Sequence, residues 1–180
     1  MGVPQFQPGT PLSRAELEWY MTDRPLFQVN WGASGSPPKG LEVANSAFVD
    51  PLAGAVTLDR GHTYYGAGMT CRIGQQLGWW AVSACGEIES LYGSSPATYP
   101  RTVHQVTLTL NEYSIDGGEA VQYATGPALK STMVQVPPVL VQATSSGDFV
   151  RMTQYVVFSG GGYLQARFNT NQLLCEWVGE

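Results

Sequence analysis

The chain has 180 residues, 43% of them hydrophobic and only 13% charged, about half the usual charged share of a globular domain. Its 14 acidic and 9 basic residues give a formal net charge of −5 with no Lys/Arg cluster, which excludes a sequence-independent phosphate-binding surface and hence a nucleic-acid partner. Length and hydrophobic content suit one folded domain with room for an appended arm, and they exclude a disordered chain.

The opening "MGVPQFQPGTP" carries neither a basic n-region nor an apolar h-region, so no secretory signal is expected, and Phe6 stands where a myristoylation motif wants Ser or Thr. No stretch of roughly 18 apolar residues occurs anywhere, so no membrane insertion is expected. "LSRAELEWYMTDRP" then reads as a helix over Ser13 to Thr22. Ser13 and Glu16 form a capping box, each able to bond the other's backbone N–H, and Pro25 bars continuation. Such a helix falls well short of the roughly 12 to 15 residues that an isolated helix needs in water. Its apolar members Leu17, Trp19, Tyr20 and Met21 must therefore pack against something else. "LFQVNW", Leu26 to Trp31, alternates as one strand, and "GASGSPPKG", Gly32 to Gly40, is a turn-rich linker. Residues 1–45 are accordingly read as an anchoring arm and linker that lacks a core of its own.

From residue 46 to 180 the hydrophobic period is two. In "TYYGAGMTCRI" the positions Tyr65, Ala67, Met69, Cys71 and Ile73 share one face of a predicted strand. "WWAVSACGEIES", Trp79 to Ser90, continues as another. In "TVHQVTLTLNEYSI" the residues His104, Val106, Leu108 and Leu110 oppose Gln105, Thr107, Thr109 and Asn111, and Asp116-Gly117 is the predicted turn that sends the chain back. The last fifty residues hold four strand-like runs separated by Pro137-Pro138, "SSGD", "SGGG" and "NTN". Val150, Met152, Val156 and Phe158 share one face, Leu164, Ala166 and Phe168 another, and Leu173, Cys175 and Trp177 a third. Short strands every 8 to 12 residues or so predict an all-β, antiparallel sandwich or barrel. The proline pair marks a bulge, an edge or a crossing between sheets.

Residues able to do chemistry are few. His104 lies on an apolar strand face and is expected to be a core or rim histidine, while His62 sits in a turn. No HExxH, Cys/His zinc spacing or G-x-S-x-G elbow occurs, so no enzyme, metal or cofactor is expected. Glu87 and Glu89 share a strand face about 6 to 7 Å apart, within reach of two-carboxylate chemistry, but a solvated strand face accounts for them. Asp116 and Glu119 lack the further oxygen donors that calcium requires. Cys71, Cys85 and Cys175, with no CxxC and no export signal, are expected to be free buried thiols. Aromatic residues are the informative surplus. Trp79-Trp80 and Tyr64-Tyr65 are adjacent pairs, so one ring of each points inward and the other outward, free to stack on a sugar or pack on another subunit. Tyr155 and Tyr163 lie opposite the predicted core sets.

"SGDFVRMTQYVVFSGGGYLQARFNTNQLLCEWVG" resembles the closing strands of jelly-roll domains in the tumour necrosis factor and complement globular-head superfamily. The matching elements are the turn Ser146-Gly147-Asp148, the turn Ser159-Gly160-Gly161, and Leu173, Trp177 and Gly179 in an "LxxxWxG" ending. "RGHTYYGAGM", Arg60 to Met69, is similar to an early strand of that family, and the resemblance spans about 120 residues from Gly61 on. Similar jelly rolls close the tail and head accessory proteins of long-tailed bacteriophages of actinobacteria. The resemblance implies a jelly-roll sandwich over residues 46–180 that forms a homotrimer and acts as a binding or cementing head. Unlike secreted members, the chain has no Gly-X-Y stalk; the arm stands in its place. The expected protein is thus a virion component made in the bacterial host cytoplasm. Its expected role is a minor tail or tail-tip protein contacting the host surface, with a capsid decoration protein or a carbohydrate-binding module as alternatives. Expected partners are copies of itself, tail or capsid subunits, and a host-surface glycan. Leu17, Trp19, Tyr20, Met21, Leu26 and Phe27 are the expected assembly anchors. Tyr64, Trp79, Trp80, Tyr155 and Tyr163 are the expected subunit-contact or glycan-stacking residues. Loss of residues 1–30 is expected to leave a folded domain that no longer joins particles.

Overall fold

The computed structural model describes residues 11, 13–19, 21, 24–31, 42–44, 46–49, 55–60, 70–92, 101–125, 131–159 and 164–180. Tyr20, His62, Tyr64, Tyr65 to Met69, Tyr163 and the linker Gly32 to Gly40 lie outside them, as do the side chains of Phe27, Glu89, Val156, Phe158, Leu164, Ala166 and Phe168. Alternating apolar and polar residues favour a pleated chain with one buried face. The described residues accordingly form one helix, α1 (Arg14–Glu18), and eleven strands. These are β1 (Leu26–Trp31), β2 (Glu42–Ala44), β3 (Ser46–Val49), β4 (Ala55–Arg60), β5 (Thr70–Cys71), β6 (Gly78–Tyr92), β7 (Arg101–Leu110), β8 (Tyr113–Thr125), β9 (Ser131–Ala143), β10 (Val150–Ser159) and β11 (Leu164–Gly179).

One sheet runs β4-β1-β11-β6-β9, with β2 added on β11; the other runs β3-β10-β7-β8, with β5 added on β10. Every pairing is antiparallel. Setting aside β2, β4 and β5, the first of the eight remaining strands pairs with the last, the second with the seventh, the third with the sixth and the fourth with the fifth. A long antiparallel ribbon wrapped across two sheets has that pairing, and it defines a jelly roll. The core lies between the sheets: Trp80, Val82, Ile88, Leu173, Cys175 and Trp177 come from the first, and Val106, Leu108, Val150 and Met152 from the second. His104, Val106 and Leu108 are indeed on one buried face, as are Leu173, Cys175 and Trp177.

Four local expectations are corrected. Ile73 is not on a strand; β5 stops at Cys71 and Ile73–Gln75 form a 3-10 turn that buries Ile73. The β7–β8 turn is Asn111-Glu112, both at positive φ (50° and 71°), as a two-residue type I′ connection requires. Asp116-Gly117 instead falls within β8, where the register jumps from Thr107↔Glu119 to Thr109↔Ser114 and the intervening residues bulge. "NTN" does not separate two strands. It is a bulge in β11 between the pairs Phe168↔Ile88 and Asn171↔Gly86, and the extra residue shifts the β11 positions that stand opposite even-numbered β6 residues from even to odd. Pro137-Pro138 sit in β9, which ends the first sheet, at a register shift opposite Val82 to Ala84, so the missing donors fall on a bulge of an edge strand.

The fourth correction concerns the arm. Leu26–Trp31 is an internal strand, paired with β11 from Leu26↔Glu176 to Trp31↔Asn171 and with β4 on its other side. A jelly roll requires its first strand beside its last, so this segment belongs to the sandwich and the 45/46 boundary does not separate two packing units. The capping box does form, with Ser13 N–H donating to Glu16 Oε2 at 2.6 Å and Glu16 N–H donating to Ser13 Oγ at 3.2 Å. Trp19, just beyond α1, is 8% exposed and meets the Trp177 ring edge-on at 5.6 Å between centroids. Arg24 forms an ion pair with Glu176, the Pro25 carbonyl accepts from Trp177 N–H at 3.0 Å, and Arg60 Nη1 donates to the Met21 carbonyl at 2.7 Å. Its own chain thus supplies a packing partner for Trp19, while Leu17 and Met21 stay exposed.

Candidate functional site

Because strand side chains alternate, the first sheet turns a second face away from the core. Across β9, β6, β11 and β1 it carries short cross-strand rows. Trp79 lies opposite Gln142; Ala81 lies between Leu140 and Glu176, with Leu26 beyond; Ser83 lies opposite Leu174, with Gln28 beyond; Cys85 lies between Gln135 and Gln172; Glu87 lies opposite Met133. Leu140 is 64% exposed, Met133 57%, Val178 47% and Trp79 40%. Ala81, Ser83, Leu174, Gln172, Leu26 and Gln28 are half-buried. Charge on this face is sparse, and Glu176 is already paired with Arg24. Burial pushes the Cys85 thiol pKa up, and the neighbouring Glu87 carboxylate adds to that. Large exposed apolar side chains among small and amide ones, with little charge, are the composition of an interface core.

The expected contact residues divide. Trp79 stands on this face. Trp80 does not: it is fully buried, with Nε1 donating to the Gln76 carbonyl at 2.9 Å, so it cannot stack on a ligand. Trp19 is likewise taken up inside the sandwich, whereas Leu17 and Met21, four residues apart, are exposed, and Leu26 is half-buried. Tyr155 is exposed, but on the outer face of the other sheet, where it lies opposite Gln105 and near Val121 and Tyr123. The fold therefore does not bring Trp79 and Tyr155 together. Sequence reasoning missed Met133 and Leu140. Alternation with Val134 and Val136 marks Met133 as outward, but the proline bulge shifts the parity so that Leu140 alternates with Val141 instead.

Glu87 is half-buried on the outward face, and Asp116 and Glu119 are exposed. Among the described residues no group of three or more metal-ligating side chains occurs. His104 is sealed in the core. Its Nε2 lies 2.7 Å from Gln154 Oε1, and Gln154 Nε2 donates to Asn171 Oδ1. Since the Gln154 nitrogen is the donor to Asn171, its oxygen accepts and His104 Nε2 carries the proton. Gly86 permits this arrangement, because a Cβ there would meet Gln154 Oε1 at 2.5 Å.

Burial pushes the His104 pKa below its ordinary value, and its hydrogen bond to Gln154 offsets this only in part. The folded state thus holds the imidazole neutral while the unfolded chain binds a proton near pH 6.5. Stability from this group is complete above about pH 6.5 and is lost as pH falls from there toward the depressed folded value. Urea midpoints measured from pH 7.5 to 5 are expected to fall, and His104→Gln is expected to flatten that limb. An unchanged pH profile in the variant would show that His104 is not responsible.

No family model and no curated protein matches the sequence. Among solved structures the chain is similar to murine APRIL at pH 5.0, with 8% identity, covering 81% of this chain and 98% of that one at a TM-score of 0.45. It is also similar to a chain of infectious bursal disease virus strain Gx, with 9% identity, covering 88% of this chain and 32% of that one at a TM-score of 0.32. A third likeness, to Mud Crab Dicistrovirus, has 12% identity and covers 89% and 83% of the two chains at a TM-score of 0.14. At such scores these likenesses carry no weight for function; the jelly-roll assignment stands on the strand pairing.

Proposed function

We propose that this protein is a structural component of a bacteriophage virion, a homotrimer of jelly rolls acting as a minor tail or tail-tip accessory protein at the host surface. The observation that carries this reading is the outward face of the first sheet, where Leu140, Met133, Val178 and Trp79 are exposed among small and amide side chains with little charge. A lone soluble domain gains nothing from such a face, whereas a self-associating subunit buries it. The exposed Leu17 and Met21 beside the sandwich are the contacts assigned to the rest of the particle.

Multi-angle light scattering is expected to give three times 19.4 kDa, persisting on dilution. Leu140→Arg, a change at an exposed position, is expected to yield a folded monomer with unchanged far-ultraviolet circular dichroism. A wild-type monomer would overturn the trimer. Mass spectrometry of purified particles tests the location: a few trimers per virion supports the tail reading, hundreds of copies a capsid decoration protein, and absence overturns both. Binding of a glycan by the isolated chain, lost in Trp79→Ala, would favour a carbohydrate-binding module instead.

A further inference from the structure

Two of the three cysteines face one another across the sandwich. Cys71 lies on β5, which joins the second sheet by pairing with β10 at Val150 and Arg151. Cys175 lies on β11 of the first sheet, between Val82 and Phe27 in the ladder. Both are fully buried members of one core cluster, both are free thiols, and Cys71 is close enough to add to the upward push that burial gives the Cys175 thiol pKa. Buried thiols that neighbour one another in one core, on different sheets and about a hundred residues apart in sequence, are a pair that a disulfide could join.

We propose that Cys71 and Cys175 form a latent inter-sheet disulfide, open when the chain is made under reducing conditions and closed by a low-molecular-weight disulfide such as glutathione disulfide. One cysteine, as thiolate, attacks the glutathione disulfide and releases one glutathione thiol, leaving a mixed disulfide. The other cysteine then displaces the second glutathione. The two cysteines together lose two protons and two electrons as their S–S bond forms, and the oxidant's S–S bond is reduced to two thiols.

Burial, reinforced by Cys71, pushes the Cys175 thiol pKa well up, so reactive thiolate is scarce while the sandwich is closed. Exchange therefore proceeds through local opening. β5 is the natural opening point, since it is two residues long and sits at the edge of β10. Once closed, the bond removes the entropy of a loop spanning more than half the chain, and it ties β5 to the first sheet. Cys85 provides an internal control, because it is half-buried on the outward face and outside this contact.

The test uses the full chain, purified reduced, then unfolded in urea and refolded in glutathione disulfide. The expected result is a Cys71–Cys175 linked peptide in non-reducing mass mapping and a thermal midpoint higher by roughly 10 °C. Dithiothreitol is expected to reverse both, and Cys85→Ser to retain both. Cys71 and Cys175 remaining free or separately capped by glutathione would overturn the proposal. So would a linked peptide with no rise in midpoint, or a rise that persists in Cys71→Ser.

Discussion

Asp148→Ala is expected to lower folding stability by about 3 kcal/mol, measured by urea unfolding at pH 7. The residue is 6% exposed, and its carboxylate accepts from Thr144 N–H at 2.7 Å, Ser145 N–H at 2.8 Å and Asn111 Nδ2 at 2.8 Å. Its backbone carbonyl accepts from Gly74 N–H at 2.9 Å. The Asn111 side chain in turn accepts from Phe149 N–H at 3.0 Å. One carboxylate thus joins the β9–β10 turn to the β7–β8 turn, while its own backbone holds the 3-10 turn after β5. Gly74 lets that turn approach, since a Cβ there would stand 2.2 Å from the Ser145 carbonyl oxygen. Removing the carboxylate strands several donors at once, each costing about 1 to 3 kcal/mol before relaxation. A loss below about 0.5 kcal/mol, typical of an unremarkable surface site, would show that these turns hold without it.

The same group carries a pH signature opposite in range to that of His104. Burial raises the Asp148 pKa, but the hydrogen bonds from Asn111, Ser145 and Thr144 together outweigh it and hold the carboxyl below its ordinary value. Its contribution is therefore present above the ordinary aspartate range and is lost as pH falls through the depressed folded value. His104 acts below about pH 6.5, whereas Asp148 acts only from the ordinary aspartate range downward.

Deleting residues 1–31 is expected to abolish cooperative folding, with no sigmoidal thermal transition in circular dichroism and no soluble trimer. The deletion removes β1 from between β11 and β4 and leaves their ladder groups without partners. It also takes Trp19 from Trp177, Arg24 from Glu176, and the Pro25 carbonyl from Trp177 N–H. Trp19→Ala alone is expected to lower stability by about 3 kcal/mol, the low end for truncating a buried indole. A deleted chain that still unfolds cooperatively would restore the reading of residues 1–30 as a detachable anchor.

Much of this protein was determined by neighbours in sequence. The Ser13–Glu16 capping box closes within one turn, so local chemistry suffices to form it. Alternation assigns His104, Val106 and Leu108 to the core and turns Trp79 away from Trp80, because a pleated strand permits no other arrangement. The prolines at 137 and 138 lack donors, so they could occupy only an interruption of the ladder. What the sequence left open was decided between residues far apart. β1 is an internal strand because β11, some 140 residues later, pairs with it, and no local feature of "LFQVNW" names that partner. Asn111-Glu112 turns the chain in preference to Asp116-Gly117 because the register of β7 against β8 needs two positive-φ residues there, and Asn accepts that conformation. The single extra residue in β11 changes which of its positions stand opposite the even-numbered residues of β6, and only the pairing between the two strands places that shift. The contact between Cys71 and Cys175 and the reach of Asp148 to Asn111 have the same origin. Local propensity sets the form of each strand, but closing two sheets over one core determines which side chains meet.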